Sequence, residues 1–381
     1  MIVRADIICP YIFSGVIMLK FIKSQPVLAI SFLAAVITMF IIPPDMEYIG
    51  YINRTVLIEL FALMIAIAGF RSVGIFDKAT DLMLKKAGTV RRIALIFILL
   101  CYFSSMLVTN DVALITFVPL TLMIFSGVKD EKARILTIVL ETSAANLGSM
   151  MTPVGNPQNL YIYDHYKLTA MDFIRTTLPS GILSLVMVIL LTFLIPSQVC
   201  TAENEHSSET KPAPTIGYGV LFAVCLLTVF RVLPDWACLI AAVVIAAIFD
   251  WKLLLNADYA LLATFVCFFV FVGNIARIES VNSFFRERLA GHELGISILL
   301  SQVISNVPAS LMLSSFTDNG TQLLLGVDLG GLGTIIASLA SLISFQFYRK
   351  TDTAQSGKYL LAFTVVSIVM LIPLILLNII I

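Results

Sequence analysis

The sequence predicts an all-α integral membrane protein built from two inverted repeats, each of five transmembrane segments (one broken) plus one re-entrant helical hairpin. Three observations predict it. Of 381 residues, 59% are hydrophobic and 13% charged, and the mean hydropathy is +0.99, outside the range of soluble globular domains. The order of apolar and polar stretches in residues 1–196 returns in residues 215–381, after a polar linker at 197–214. Polar groups at apparent membrane depth concentrate in two stretches, one in each half: Ser104 to Tyr163, and Ser305 to Thr334.

Charge and cysteine usage narrow the classes. Lys plus Arg equals Asp plus Glu, 24 each, and no basic cluster with interleaved aromatics points to nucleic acid. Cys9, Cys101, Cys225, Cys238 and Cys267 lie in apolar runs and Cys200 in a polar one, with no C-x-x-C, so they read as small core residues. Met1 to Asp6 has a weak basic region with no small-residue cleavage site after the run that follows, and is read as the start of a retained span.

A spanning helix needs about 20 mainly apolar residues. In the first half, Ile7 to Phe21, Val27 to Ile42 and Thr55 to Phe70 are spans, with a loop from Asp45 to Arg54. Arg71 to Gly88 mixes Ile75, Phe76 and Leu82 with Asp77, Lys78 and Lys85, an interfacial amphipathic pattern. Ile93 to Phe125 is apolar except at Thr109, Asn110 and Asp111. Ala133 to Leu147 breaks at Gly148 to Pro157 and resumes to Tyr163, and Phe173 to Ile195 completes the half. After the linker, whose prolines and Glu203, Glu205 and Glu209 mark it, the order repeats. Tyr218 to Phe230, Cys238 to Phe249 and Ala260 to Ile275 are spans, and Arg277 to Gly291 is amphipathic. His292 to Phe316 is interrupted at Ser305-Asn306, Leu323 to Phe347 at Gly330, Gly331 and Gly333, and Tyr359 to Ile380 closes the chain.

Repeats with an odd number of spans are inverted, and the basic residues agree. With Arg71 to Arg92 inside, sixteen of the 24 Lys and Arg fall on inner segments and eight on outer ones, as the positive-inside rule requires. Both termini are then expected outside.

The second interrupted unit fixes the meaning of the first. Its arm from His292 to Ile304 has 13 residues, which at about 1.5 Å rise covers roughly 20 Å of a core about 30 Å thick. Such an arm turns back. Non-helical backbone at that depth belongs where protein or a water-filled cavity receives it, so Thr109 to Asp111 and Ser305 to Val307 are expected to face a cavity. Pro153 and Pro157 lack N–H groups, which leaves the carbonyls of Ser149 and Pro153 without helical partners and open to a cation. Gly330, Gly331 and Gly333 permit an equivalent unwound turn. Broken helices at corresponding positions of two repeats point to a transporter site, with half-helix N-termini toward anions and freed carbonyls toward cations.

These residues resemble the ion-transporter superfamily that includes divalent-anion/sodium symporters, citrate permeases, arsenite permeases and D-type sodium/proton antiporters. The resemblance spans essentially the whole chain. Dicarboxylate symporters carry Ser-Asn-Thr at each hairpin tip; here the tips read Thr109-Asn110-Asp111 and Ser305-Asn306-Val307, so Asn carries over and the third position departs. The resemblance implies a permease in the cell (inner) membrane, dimeric through its early spans. The residues expected to bind solute are Thr109, Asn110, Thr152, Asn156, Ser305, Asn306 and Thr334. Those expected to bind a coupling cation or carry a coupling proton are Asp111, Glu141, Asn146, Gly148, Asp328 and Gly330. No cofactor is expected beyond Na⁺ or H⁺ as coupling ion.

Alternatives stay open at single residues. Asp111 either couples ions or caps the following arm; Glu141, on a helical stripe with Thr137, Ala145 and Gly148, either carries a cation or makes a buried hydrogen bond. Asp328 is a cation ligand or sits shallow and solvated. Glu59 reads as interfacial, and His165, His206 and His292 as loop residues. Three functions compete: a secondary transporter moving a small anion with Na⁺ or H⁺, a Na⁺/H⁺ antiporter favoured by the buried acids, and an intramembrane enzyme. The last lacks a G-x-S-x-G and any His in an apolar run, and no G-x-x-x-x-G-K-[ST] loop supports an ATP-driven pump.

Overall fold

A computed structural model describes residues 25–75, 88–125, 128, 130–198 and 212–380. The expected span Ile7 to Phe21, most of the amphipathic stretch Arg71 to Gly88, and His206 with the centre of the linker lie outside the described residues.

The described elements are helices: α1 (Pro26–Ile41), α2 (Glu47–Tyr51), α3 (Arg54–Ser72), α4 (Val90–Val108), α5 (Asn110–Ile124), α6 (Glu131–Ser149), α7 (Pro157–His165), α8 (Ala170–Thr192), α9 (Pro212–Val229), α10 (Asp235–Phe249), α11 (Lys252–Leu255), α12 (Tyr259–Ala276), α13 (Glu279–Leu289), α14 (Glu293–Ile304), α15 (Asn306–Ser314), α16 (Gly320–Leu329), α17 (Leu339–Arg349) and α18 (Ser356–Ile380). Among the described residues, α3, α4, α8, α9, α12 and α18 are long and apolar enough to cross a membrane. The protein is an all-α integral membrane protein.

Local sequence explains most boundaries. Asn53, Thr89, Asp130 and Asn319 cap α3, α4, α6 and α16 by accepting from backbone N–H groups of the first turn. Thr169 and Asp172 form a reciprocal capping box on α8. Two short helices, α2 and α11, lie in stretches whose residues predict a loop or no element. They are too short to show a period, and tertiary bonds hold α2. Arg277, just beyond α12, binds Asp45 at 2.8 Å and Glu47 at 3.3 Å, and Tyr48 Oη lies 2.8 Å from Asn274 Nδ2. That Arg277 hydrogen bond holds the Asp45 carboxyl below the usual range.

The packing exchanges elements between the two halves. α1 packs on α12 and α10 on α3; the α5 arm packs on α17, and the α15 arm on α7. One apolar core gathers α4, α5, α6 and α8 with α17 and α18. The other gathers α3 and α7 with α9, α10, α12, α15 and part of α16. Neither core is confined to one half, so the polar stretches of both halves are brought to one centre.

Several residues sit differently from the sequence reading. Glu59 is buried, 4% exposed, on α3, because α9 and α10 cover that face. Cys225 and Cys238 are buried core residues, as expected, and meet as free thiols with sulfurs 3.5 Å apart. Arg134, at the start of α6, is buried and donates to Glu131 Oε2 (3.0 Å), Thr353 Oγ1 (2.6 Å) and the carbonyls of Phe125 (3.0 Å) and Val128 (3.3 Å). It joins the end of α5, the start of α6 and the segment after α17. Arg134→Ala removes the charge partner of Glu131, which keeps its bonds from Tyr348 Oη and Thr353 Oγ1, and leaves the Val128 carbonyl without this donor, at a cost of about 1–3 kcal/mol. A clear drop in melting temperature of the purified protein is expected.

Candidate functional site

Each hairpin turns on one residue. Thr109 ends α4 with φ 72° and ψ 150°, and Ser305 ends α14 with φ 74° and ψ 155°. Both lie in left-handed space that non-glycine residues enter only when their surroundings hold them. What holds them is the same in both halves. Asn110 N donates to Gly155 O at 3.2 Å, and Asn306 N to Ala337 O at 2.9 Å. Thr152 Oγ1 donates to Met106 O, and Thr334 Oγ1 to Gln302 O at 3.2 Å. Asn110 Oδ1 accepts from Asp111 N at 2.9 Å, and Asn306 Oδ1 from Val307 N at 3.0 Å. Each broken helix therefore clasps the hairpin of its own half around the tip.

Side chains then join the two halves. Asn146 Oδ1 accepts from Asn110 Nδ2 (2.9 Å) and from Ser338 Oγ (3.0 Å), while its Nδ2 donates to Ser341 Oγ (3.1 Å) and Gly331 O (3.4 Å). Asp328 Oδ1 accepts from Asn156 Nδ2 and Gln158 Nε2, both at 3.3 Å. Asn156 and Ser338 are the N-cap residues of α7 and α17. The N-termini of α5, α7, α15 and α17 thus gather at one buried polar centre, with their positive dipole ends converging.

The breaks are less open than the prolines and glycines suggest. The carbonyl of Ser149, expected to be left free by Pro153, accepts from Asn159 Nδ2 at 3.3 Å, and Thr152 O accepts from the same amide at 3.2 Å. Gly148 O takes backbone N–H groups of the following turn. Gly330 O and Leu332 O accept from Gln302 Nε2, both at 2.9 Å, and Gln302 Oε1 accepts from Thr334 N at 2.8 Å. Gln302 and Asn159 replace N–H groups that the helices lose. Neither stands out in the sequence, because Gln302 lies on an otherwise apolar arm and Asn159 looks like an ordinary first-turn residue of α7.

The predicted residues divide accordingly. Asn110, Asn146, Asn156, Asn306 and Asp328 lie in the centre, each at most 5% exposed. Thr152, Ser305 and Thr334 brace the tips. Asp328 is buried and not solvated. Gly148 sits where a Cβ would meet backbone atoms of Tyr102, so its side-chain-free surface serves the approach of α6 to α4. Asp111 is half-buried in the first turn of α5, and its side chain makes no capping bond. Glu141 lies apart, fully buried on α6, and accepts from Thr121 Oγ1. Asn306 Nδ2, unlike Asn110 Nδ2, donates to none of the described residues. His165, at the end of α7, is exposed and stacks on Tyr161.

The family model described as Citrate transporter matches residues 15–326. The chain belongs to that family. Citrate transporter family resemblance extends to an uncharacterized transporter of Methanocaldococcus jannaschii, 33% identical over 332 residues, 87% of this chain and 90% of the relative. It extends also to the inner membrane protein YbiR of Escherichia coli, 30% identical over 295 residues, 76% of this chain and 78% of that protein. A shorter match, 28% identical over 144 residues, covers 38% of this chain and 29% of the silicon efflux transporter LSI3 of Oryza sativa. As a member of the citrate transporter family the chain is a multi-pass membrane transporter for a small solute and not an enzyme.

Proposed function

We propose that the protein is a secondary transporter that moves a small anion, a carboxylate or oxyanion, across the cell inner membrane by alternating access, coupled to H⁺ or Na⁺. The observation that carries this reading is the convergence of two strained hairpin tips and four helix N-termini around Asn110 and Asn306, with Asn306 Nδ2 still free to donate. Half-helix N-termini and a tip amide suit an anion's oxygens. The description of the family by citrate, a small carboxylate, supports an anion as the solute.

Two inverted repeats, residues 1–196 and 215–381 about the linker 197–214, account for the exchanged packing of α5 on α17 and α15 on α7. In this reading the hairpins enter from opposite sides, both termini lie outside, and two copies dimerise through the early spans. A Na⁺/H⁺ antiporter is the second reading, favoured by the Asp111 carboxylate, which has no hydrogen bond among the described residues.

Proteoliposomes decide between them. Uptake of radiolabelled citrate, succinate, sulfate and arsenite is measured under an imposed H⁺ or Na⁺ gradient. The anion reading expects accumulation of at least one. If none enters and adding Na⁺ collapses a preset pH gradient, the protein is an antiporter.

A further inference from the structure

Far from the polar centre, two lysines at one end of the molecule stand over an apolar hollow. Lys132 lies in the first turn of α6 and Lys358 in the first turn of α18. Both are exposed, and among the described residues neither makes an ion pair. They stand on the rim of one cavity of about 320 Å³ where α6 packs on α18, and its apolar floor is Ile135, Leu136 and Ala362. Beyond the floor the apolar surface continues: Val365, Val369 and Ile372 follow Ala362 at helical spacing along α18, and all three are exposed.

The acids on the same rim are already engaged. Asp130 Oδ1 caps α6, accepting from Lys132 N at 3.0 Å and Ala133 N at 3.4 Å. Glu131 accepts from Tyr348 Oη at 2.6 Å, Thr353 Oγ1 at 3.1 Å and Arg134 at 3.0 Å. Through Tyr348 the end of α17 joins this rim, and Arg349 and Lys350 follow directly, with Lys350 Nζ over the Phe347 ring at 5.8 Å. Asp352 is exposed in the turn before α18. Residues 130–134 and 348–358 together carry five Lys and Arg against three Asp and Glu, so this end is basic, and the two lysines over the cavity are the cations left for a ligand. A cationic rim suits an anion and the floor suits hydrocarbon. A phospholipid supplies both in one molecule, whereas a free phosphate would leave the floor bare.

We propose that this cavity binds an anionic phospholipid, its phosphate held by Lys132 and Lys358 and one acyl chain laid over Ile135, Leu136 and Ala362 and then along α18. Basic pockets between membrane helices at the cytoplasmic face suit such headgroups, and the cytoplasmic leaflet is the one rich in anionic lipid. The orientation proposed above, with the C-terminus outside, puts the start of α18 on that side. Glu131, on the rim, is also the partner of Arg134, which joins the end of α5, the start of α6 and the segment after α17. The lipid therefore braces the inner end of the first hairpin, whichever solute the protein carries.

The test titrates the detergent-purified, full-length protein with dioctanoyl phosphatidylglycerol, counting bound lipid by native mass spectrometry and following the melting temperature in parallel. Wild type is expected to take up a first lipid per chain and to melt higher with it. The double variant Lys132→Gln with Lys358→Gln changes exposed side chains only, so its fold is kept. It is expected to bind that lipid roughly 30-fold more weakly, from two surface cations lost. Lys252→Gln, at an exposed lysine on α11, is expected to bind it as wild type does. Dioctanoyl phosphatidylethanolamine is expected to bind more weakly than phosphatidylglycerol, and inorganic phosphate to leave the melting temperature unchanged. The proposal is overturned if the double variant binds like wild type, if Lys252→Gln weakens binding as much as the double variant, or if phosphatidylethanolamine binds as tightly. It is overturned too if inorganic phosphate alone gives the same rise in melting temperature, which assigns the lysines to a free ion.

Discussion

Asn110→Ala and Asn306→Ala are each expected to abolish solute uptake into proteoliposomes while the variants reach the membrane in wild-type amounts. Asn110 Nδ2 is the link from the first tip to Asn146, and through Asn146 to Ser338 and Ser341 of the other half. Its Oδ1 also holds the first turn of α5 through Asp111 N. Alanine removes both bonds, yet each is worth only about 0.5–1.5 kcal/mol net, small beside a typical folding stability of roughly 5–15 kcal/mol. The fold survives and the tip loses its register. At Asn306 the loss is more direct, because its Nδ2 is the donor left for the solute. Uptake normalised to reconstituted protein, with elution profile as the control for folding, reads the effect. Wild-type turnover in either variant contradicts the two-tip site.

Gly148→Ala and Gly155→Ala act on the fold itself. A Cβ on Gly148 would lie 2.8 Å from the carbonyl carbon of Tyr102 and 2.6 Å from Ser105 Oγ on α4. On Gly155 it would lie 2.7 Å from the carbonyl carbon and 2.8 Å from Cα of Ser149. Both obstacles include backbone, which cannot swing aside, so overpacking costs about 1–3 kcal/mol or more. Gly155 O also accepts from Asn110 N, so any shift there displaces the first tip. Both variants are expected to lose most of their monodisperse, folded protein, with Gly148→Ala the worse because α4 and α6 pack along their length. Recovery by size exclusion after detergent extraction measures it. By contrast Gly219, whose Cβ would meet nothing within 4 Å, serves as a tolerant control.

The centre is legible in the sequence where backbone chemistry announces itself. Pro153 and Pro157, close together beside Gly148 and Gly155, and the glycines Gly330, Gly331 and Gly333 crowd enough breakers into one turn to end a helix, whereas the lone Pro119, Pro179 and Pro373 stay inside theirs, and an Asn beside such a break in an apolar run has to satisfy its amide inside the protein. What is not legible depends on partners that only the fold supplies. Gln302 reads as a stray polar residue on α14 until Gly330 and Leu332 arrive beside it with empty carbonyls. Ser338 and Ser341 read as small residues of α17, and become ligands of Asn146 because the α5 hairpin packs on α17. Glu59 looks interfacial from its position near the start of α3, and helices from the other half bury it. Asp328 reads as either a cation ligand or a shallow, solvated acid, for want of any signal that Asn156 and Gln158 enclose it.

A structure determined with the transported anion bound tests the central claim most directly. The account predicts solute density between the two hairpin tips, with an oxygen within hydrogen-bonding distance, about 2.7–3.2 Å, of Asn306 Nδ2 and the N-termini of α5 and α15 beside it. Density away from both tips, for instance beside Glu59 between α3 and α10, with Asn306 Nδ2 still free, would contradict it.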